Sequence, residues 1–275
     1  MYRPSLSRQT SDPLPPLGSK ATGLVQLGEA LWCLRQDFWI TENIYLNSHV
    51  IRLSSGSLLV ISPPARTEEA EALLESLPGG CAAVEHVVLP NLSPEHWIHA
   101  AGWASKFASD ATLWVVPGVL EGRSVAGLAG FPQQAAQLRS AFRRITSLPD
   151  SGPLPGLGGE LAVSTFHEGW GLFSEAVLLL RDARAIVFSD MAFAIYDHPV
   201  SPLVGREVSK LVGIYRRLGA PLATPMMRKD PAAGRAWLET VLSWDFDTVL
   251  PGHLDPRVGP GGKDAVRECF GFLLH

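Results

Sequence analysis

Val84-Glu-His-Val-Val-Leu-Pro-Asn-Leu-Ser-Pro-Glu-His96 runs from a largely apolar segment into a polar turn carrying Asn91, Ser93, Glu95 and His96. The first six residues have the length and β-branched content of a buried strand, and Pro90 stops it. Two later stretches have the same form. Ala185-Ile-Val-Phe188 leads into Ser189-Asp190, and Thr248-Val-Leu250 leads into Pro251-Gly-His253. Functional groups in α/β folds collect where strands end and loops begin. Each of the three strands delivers one or two groups able to hold a metal to such a point.

Working outward, Leu31–Leu34, His49–Leu53 and Ser57–Ile61 read as strands, the last two joined as a hairpin through Ser54-Ser-Gly56. Thr67 is the expected N-cap of a helix that has Glu68 and Glu69 in its first turn and Gly79-Gly80 as its stop. A second helix is expected from Pro94 to Phe107, then a strand over Thr112–Val116. A helical piece near 132–144 precedes a Pro/Gly-rich loop. Strands follow at Leu161–Phe166, Ala176–Leu180 and Ala185–Phe188. Helices are expected over 200–219 and 230–244 and at the C-terminal end. Strands alternating with helices predict an α/β layered fold. Residues 1–21, rich in Ser and Pro, read as a flexible lead-in, and 22–275 as a single domain.

Of the 275 residues, 46% are hydrophobic and 18% charged, which excludes a disordered or fibrous chain. The net charge is −4, so there is no basic surplus to neutralise phosphates, and no nucleic-acid partner is expected. Cys33, Cys81 and Cys269 stand far apart without a CxxC pair, which argues against a disulfide framework or a cysteine zinc ribbon. Reduced, buried thiols fit a cytoplasmic protein, and the N-terminus lacks the apolar centre of a secretory signal. No apolar run reaches the length of a membrane span, so no membrane association is expected.

The order of these elements resembles the metallo-β-lactamase superfamily: a strand and His-bearing turn, a later strand with Asp, and a last strand with Pro-Gly-His. The likeness runs over roughly residues 30–265. It includes the Trp244-Asp-Phe-Asp247 stretch before the last strand, which is similar to an uncharacterised branch of that superfamily. The resemblance implies an αββα sandwich of two mixed sheets flanked by helices. The superfamily pattern His-x-His-x-Asp-His is replaced here by Asn91-x-Ser93-x-Glu95-His96. In the superfamily one metal takes the first two His and a mid-chain His. The second takes the motif Asp and third His, a bridging Asp and the final His. Here Asn91 and Ser93 remove two ligands of the first site, since neither binds borderline metals well. His167 lies four residues short of the mid-chain His position.

The second site keeps Glu95, His96, Asp190 and His253. Two imidazoles and two carboxylates suit one divalent ion, Zn²⁺ first, with Fe²⁺ or Mn²⁺ as alternatives. His167 is a further candidate ligand, and Glu175 a further ligand or general base. Asn91 and Ser93 are candidates for hydrogen bonds to a substrate oxygen. Asp197, His198 and Asp255 are secondary candidates. Each residue also has an ordinary reading: His96 and Glu95 as helix N-terminal groups, Asp190 as a cap, His253 and Asn91 as turn residues. The expected function is metal-dependent hydrolysis of a small ester, lactone, thioester or phosphodiester. The alternative is a non-catalytic binding or scaffold protein on the same fold. The oligomeric state is not legible in the sequence.

Overall fold

The structure is a computed structural model; it describes residues 21–37, 44–124, 130–168, 173–196 and 204–274. The expected flexible segment 1–21 lies outside these except for Ala21, as do Asp197 and His198. The chain forms two compact units that divide at Ser147/Leu148.

The N-terminal unit is built on a seven-stranded sheet in sequence order. Strands β1 (Thr22–Gly28), β2 (Leu31–Asp37), β3 (Tyr45–Arg52) and β4 (Leu58–Ile61) form an antiparallel meander. β5 (Val84–Leu89), β6 (Thr112–Val115) and β7 (Arg144–Ser147) continue it in parallel. Parallel neighbours need crossovers. α1 (Glu68–Glu75) supplies the first, and α2 (Pro132–Ala141) the last. α1 starts where expected: Thr67 Oγ1 accepts from the Ala70 N–H at 3.1 Å, and Ala70, Leu73 and Leu74 form its buried face. Leu58–Ile61 of β4 are buried, as are Val84 and Val87–Leu89 of β5, and after a register shift between Leu58 and Leu59 the pairing sets Ile61 beside Val88.

The helix expected from Pro94 to Phe107 does not form. Two 3-10 turns, Pro94–His96 and Ala100–Trp103, carry the chain instead. Trp97 and Trp103 are both fully buried, and Trp103 Nε1 donates to the Pro64 carbonyl at 2.7 Å. Burying two indoles so near in sequence, with Gly102 between them, favours tight turns over one regular helix.

The C-terminal unit has a five-stranded sheet. β8 (Ser151–Pro153), β9 (Leu161–His167), β10 (Ser174–Leu180) and β11 (Ala185–Val187) are antiparallel neighbours. β12 (Phe193–Ala194) pairs with β13 (Leu218–Gly219) in a small ribbon, and β14 (Thr248–Leu250) lies parallel to β11. The helices are α3 (Val204–Leu211), α4 (Ala223–Lys229), α5 (Pro231–Ser243) and α6 (Gly262–Cys269). The helix expected over 200–219 is thus shorter. Gly213, at φ 78°, and β13 end it. On α5, Gly234, Trp237, Leu238 and Val241 are buried at helical spacing. Trp237 meets Phe166, Phe188 and Phe270 at centroid distances of 6.4, 6.4 and 5.2 Å. That aromatic cluster anchors α5 and the residue after α6 to the sheet beneath them.

Candidate metal centre

In the N-terminal unit the parallel β4–β5 pair brings two chain segments out at the same sheet edge. β4 ends into Ser62 and β5 into the Asn91–His96 turn. Asn91 Oδ1 accepts from the Ser93 N–H at 3.1 Å, an Asx turn that orders the loop from within. Asn91, Ser93 and His96 are all buried, and Glu95 is half-buried. His96 Nδ1 lies 2.9 Å from Ser62 Oγ. Ser62 sits at φ 54° and donates its N–H to the Val88 carbonyl at 3.0 Å. A hydroxyl on one ring nitrogen fixes the ring and selects the other, Nε2, as donor to a metal. Ser62 lies 34 residues before His96 and follows no motif. Only the strand pairing could have revealed it.

In the C-terminal unit the same device recurs. β11 and β14 are parallel with Val187 beside Leu250, so Ser189-Asp190 and Gly252-His253 emerge side by side. Asp190 and His253 are buried, and His253 Nε2 lies 3.2 Å from Asp190 Oδ1. The Phe193 ring packs on His253 with centroids 5.6 Å apart. Asp255 Oδ2 accepts from the Tyr196 N–H at 2.5 Å, holding the segment after β12 to the loop that carries His253. Leu254, between them, is at φ 62°, a region costly for a branched side chain.

Glu175, expected as a ligand or general base, is fully buried at the start of β10 and faces the turn that carries Asp190. Oε1 accepts from the Ser189 and Met191 N–H groups at 2.7 and 3.1 Å, and Oε2 from Asp190 N–H at 2.9 Å. Both oxygens are engaged by the backbone that presents Asp190. Burial, and then the Asp190 charge, push its carboxyl above the usual carboxylate range; the three N–H donors pull the other way. His167, at the end of β9, is engaged too. Its Nδ1 lies 2.9 Å from Ser174 Oγ and its Nε2 3.2 Å from Asp150 Oδ1. No ring nitrogen is left for a metal unless one of these contacts breaks, so the expected ligand role at His167 finds no support.

The donor chemistry fits a divalent ion. Two donors about 2.1 Å from a tetrahedral ion stand about 3.4 Å apart. The Asp190–His253 pair, at 3.2 Å, has nearly that spacing. Within the N-terminal unit, His96 offers a buried imidazole oriented by a hydroxyl, and Glu95 is the carboxylate preceding it in the chain.

Comparison with known proteins agrees on the fold. A diflavin flavoprotein fragment (residues 1–254) from Nostoc sp. PCC 7120 superposes with a TM-score of 0.61 at 14% identity, over 92% of this chain and 96% of that one. A metal-soaked flavodiiron core from Synechocystis sp. PCC6803 gives 0.64 at 14% identity, over 94% of this chain and 62% of that one. The metallo-β-lactamase FIM-1 from Pseudomonas aeruginosa, in its mono-zinc form, gives 0.55 at 8% identity, over 91% and 95%. At such identities the likeness concerns the fold: two mixed sheets flanked by helices, the metallo-β-lactamase-like class that the strand-end pattern implied. No curated protein matches by sequence. The model of one sequence family covers residues 28–214, taking in the Asn91–His96 turn, Glu175 and Asp190, and by that match the chain belongs to the domain of unknown function family DUF4336.

Proposed function

We propose that Glu95, His96, Asp190 and His253 hold one divalent metal ion, with Zn²⁺ favoured over Fe²⁺ or Mn²⁺, and that the protein is a metal-dependent hydrolase. The buried Asp190–His253 pair carries this reading. Its spacing matches two ligands of one ion, and Glu175 fixes the turn that presents the Asp. When bound, such an ion lowers the pKa of a coordinated water and polarises a carbonyl or phosphoryl oxygen. Ser62 orients His96, and Phe193 and the Asp255 latch restrain His253. Asn91 and Ser93 replace the ligands of a second metal. Ser93 keeps a hydroxyl beside the site for a substrate oxygen, while Asn91 Oδ1 already serves the turn and offers its amide as donor. The substrate classes that fit are small esters, lactones, thioesters and phosphodiesters.

Elemental mass spectrometry of protein purified without added metal or an affinity tag tests this, beside His253→Ala. One equivalent of Zn, Fe or Mn in the wild type, lost in the variant while circular dichroism is unchanged, is the expected result. Absence of metal from both, with no uptake on titration, overturns the reading and favours a binding or scaffold role.

A further inference from the structure

The loop that carries His253 is closed at its base and clipped at its middle. At the base, Val249 and Val258 exchange two backbone hydrogen bonds of 2.8 and 2.7 Å. Between them the Asp255 N–H donates to the Ala194 carbonyl at 3.4 Å, and Asp255 Oδ2 accepts from the Tyr196 N–H. Asp255 is 4% exposed, so this clip is sheltered from competing water. The edge it grips belongs to β12, whose other edge pairs with β13, Phe193 beside Gly219 and Ala194 beside Leu218. One residue on, the Ile195 N–H donates to the Ile214 carbonyl at 2.9 Å, and the Arg216 N–H to the Ile195 carbonyl at 2.7 Å. The backbone of Ile195 thus faces one way, and that of Ala194 and Tyr196 the other, as alternate residues of an extended strand do. Residues 193–196 form a middle strand, with the His253 loop on one edge and residues 214–219 on the other. Leu254 at φ 62° and Arg216 at φ 54°, two of the four non-glycine residues with positive φ among the described residues, flank this arrangement. Such conformations persist where neighbouring bonds over-determine them.

We infer that Asp255 is a positioning residue for the metal: by clipping the His253 loop to β12 it holds the imidazole in place for the ion, and it couples occupancy of the ion to the ordering of residues 193–196 and 214–219. The inference rests on the metal reading above. An imidazole on an unclipped loop loses orientational freedom when the ion binds, whereas a clipped one has lost it on folding. The coupling is reciprocal. Whatever the clip adds to the affinity for the ion, the bound ion adds to the stability of the clip.

Competition for Zn²⁺ against a chromophoric chelator, and hydrogen–deuterium exchange with and without Zn²⁺, test this with the full chain. Asp255→Ala is expected to weaken zinc binding by about ten- to a hundredfold. Asp255→Asn keeps an acceptor for the Tyr196 N–H and should restore most of that loss. In the wild type, Zn²⁺ should slow exchange of the Tyr196 and Arg216 amides. In Asp255→Ala the slowing should be confined to the Ser189-Asp190 turn. A purely structural role would lower the melting temperature of metal-free Asp255→Ala and leave its zinc affinity unchanged, which overturns the inference. An Asp255→Asn protein as weak as the alanine variant overturns it as well. So does zinc that protects Ser189-Asp190 in the wild type but not Tyr196 and Arg216, a comparison that needs no variant to fold. These outcomes leave the metal reading standing, whereas a wild type that takes up no zinc overturns both.

Discussion

Three backbone N–H groups converge on the Glu175 carboxylate, and the chain they belong to is the turn that presents Asp190. Its oxygens replace the hydrogen bonds that a tight turn cannot make to itself, which is why a carboxyl group is tolerated at full burial. Glu175→Gln keeps the volume but offers an N–H to the turn in place of one acceptor oxygen. It leaves at least one buried donor unsatisfied, and the expected loss is about 1–3 kcal/mol of unfolding free energy by urea denaturation. An unchanged midpoint would remove Glu175 from this structural role. Glu175 was legible as a special residue only because it opens a strand close to the site. Its role was not, since the choice between ligand and backbone acceptor depends on the pairing of β10 with β11. Ser62 was illegible for the same reason. His96, Asp190 and His253 stood out in the sequence as candidates because each follows a recognisable apolar strand.

At the level of elements, legibility followed the strength of the local signal. α1 has an N-cap, acidic residues in its first turn and a glycine stop, and it forms as expected. Thr67 has one structural task, so Thr67→Ala is expected to cost about 1 kcal/mol, read as a lowered melting temperature. A cost near zero would mean that packing of Leu73 and Leu74 alone holds the helix. Where local signals conflicted with packing, packing won. Residues 94–107 read as a helix, yet two buried tryptophans and Gly102 turned them into 3-10 segments. β7 and β8 were hidden because Arg144–Ser147 and Ser151–Pro153 are polar or glycine-containing, and only pairing with β6 and β9 makes them strands. β1 was missed because Thr22–Gly28 holds two glycines and only three apolar side chains; its register with β2 defines it.

At the scale of the whole molecule, the proposed ligands run from Glu95 to His253, so no local fragment of chain holds the set. The unfolded chain then has little affinity for the ion, and binding couples to folding. Zn²⁺ at about a hundred times its dissociation constant should add about 2.7 kcal/mol to unfolding free energy, and a chelator should remove it. For a protein of this size that corresponds to a rise of a few degrees in melting temperature. The coupling also carries a sign in pH. The two imidazoles bind only as free bases, so on acidification protons compete with the ion. The zinc-dependent gain should therefore shrink as the solution is made acidic. His253→Ala should abolish the gain at every pH, whereas Thr67→Ala should lower the melting temperature with and without zinc alike. Differential scanning fluorimetry on the three proteins, with and without chelator, separates these outcomes. A wild type indifferent to zinc and chelator at neutral pH would leave Asp190–His253 as an ordinary buried hydrogen bond and would withdraw the metal from the molecule altogether.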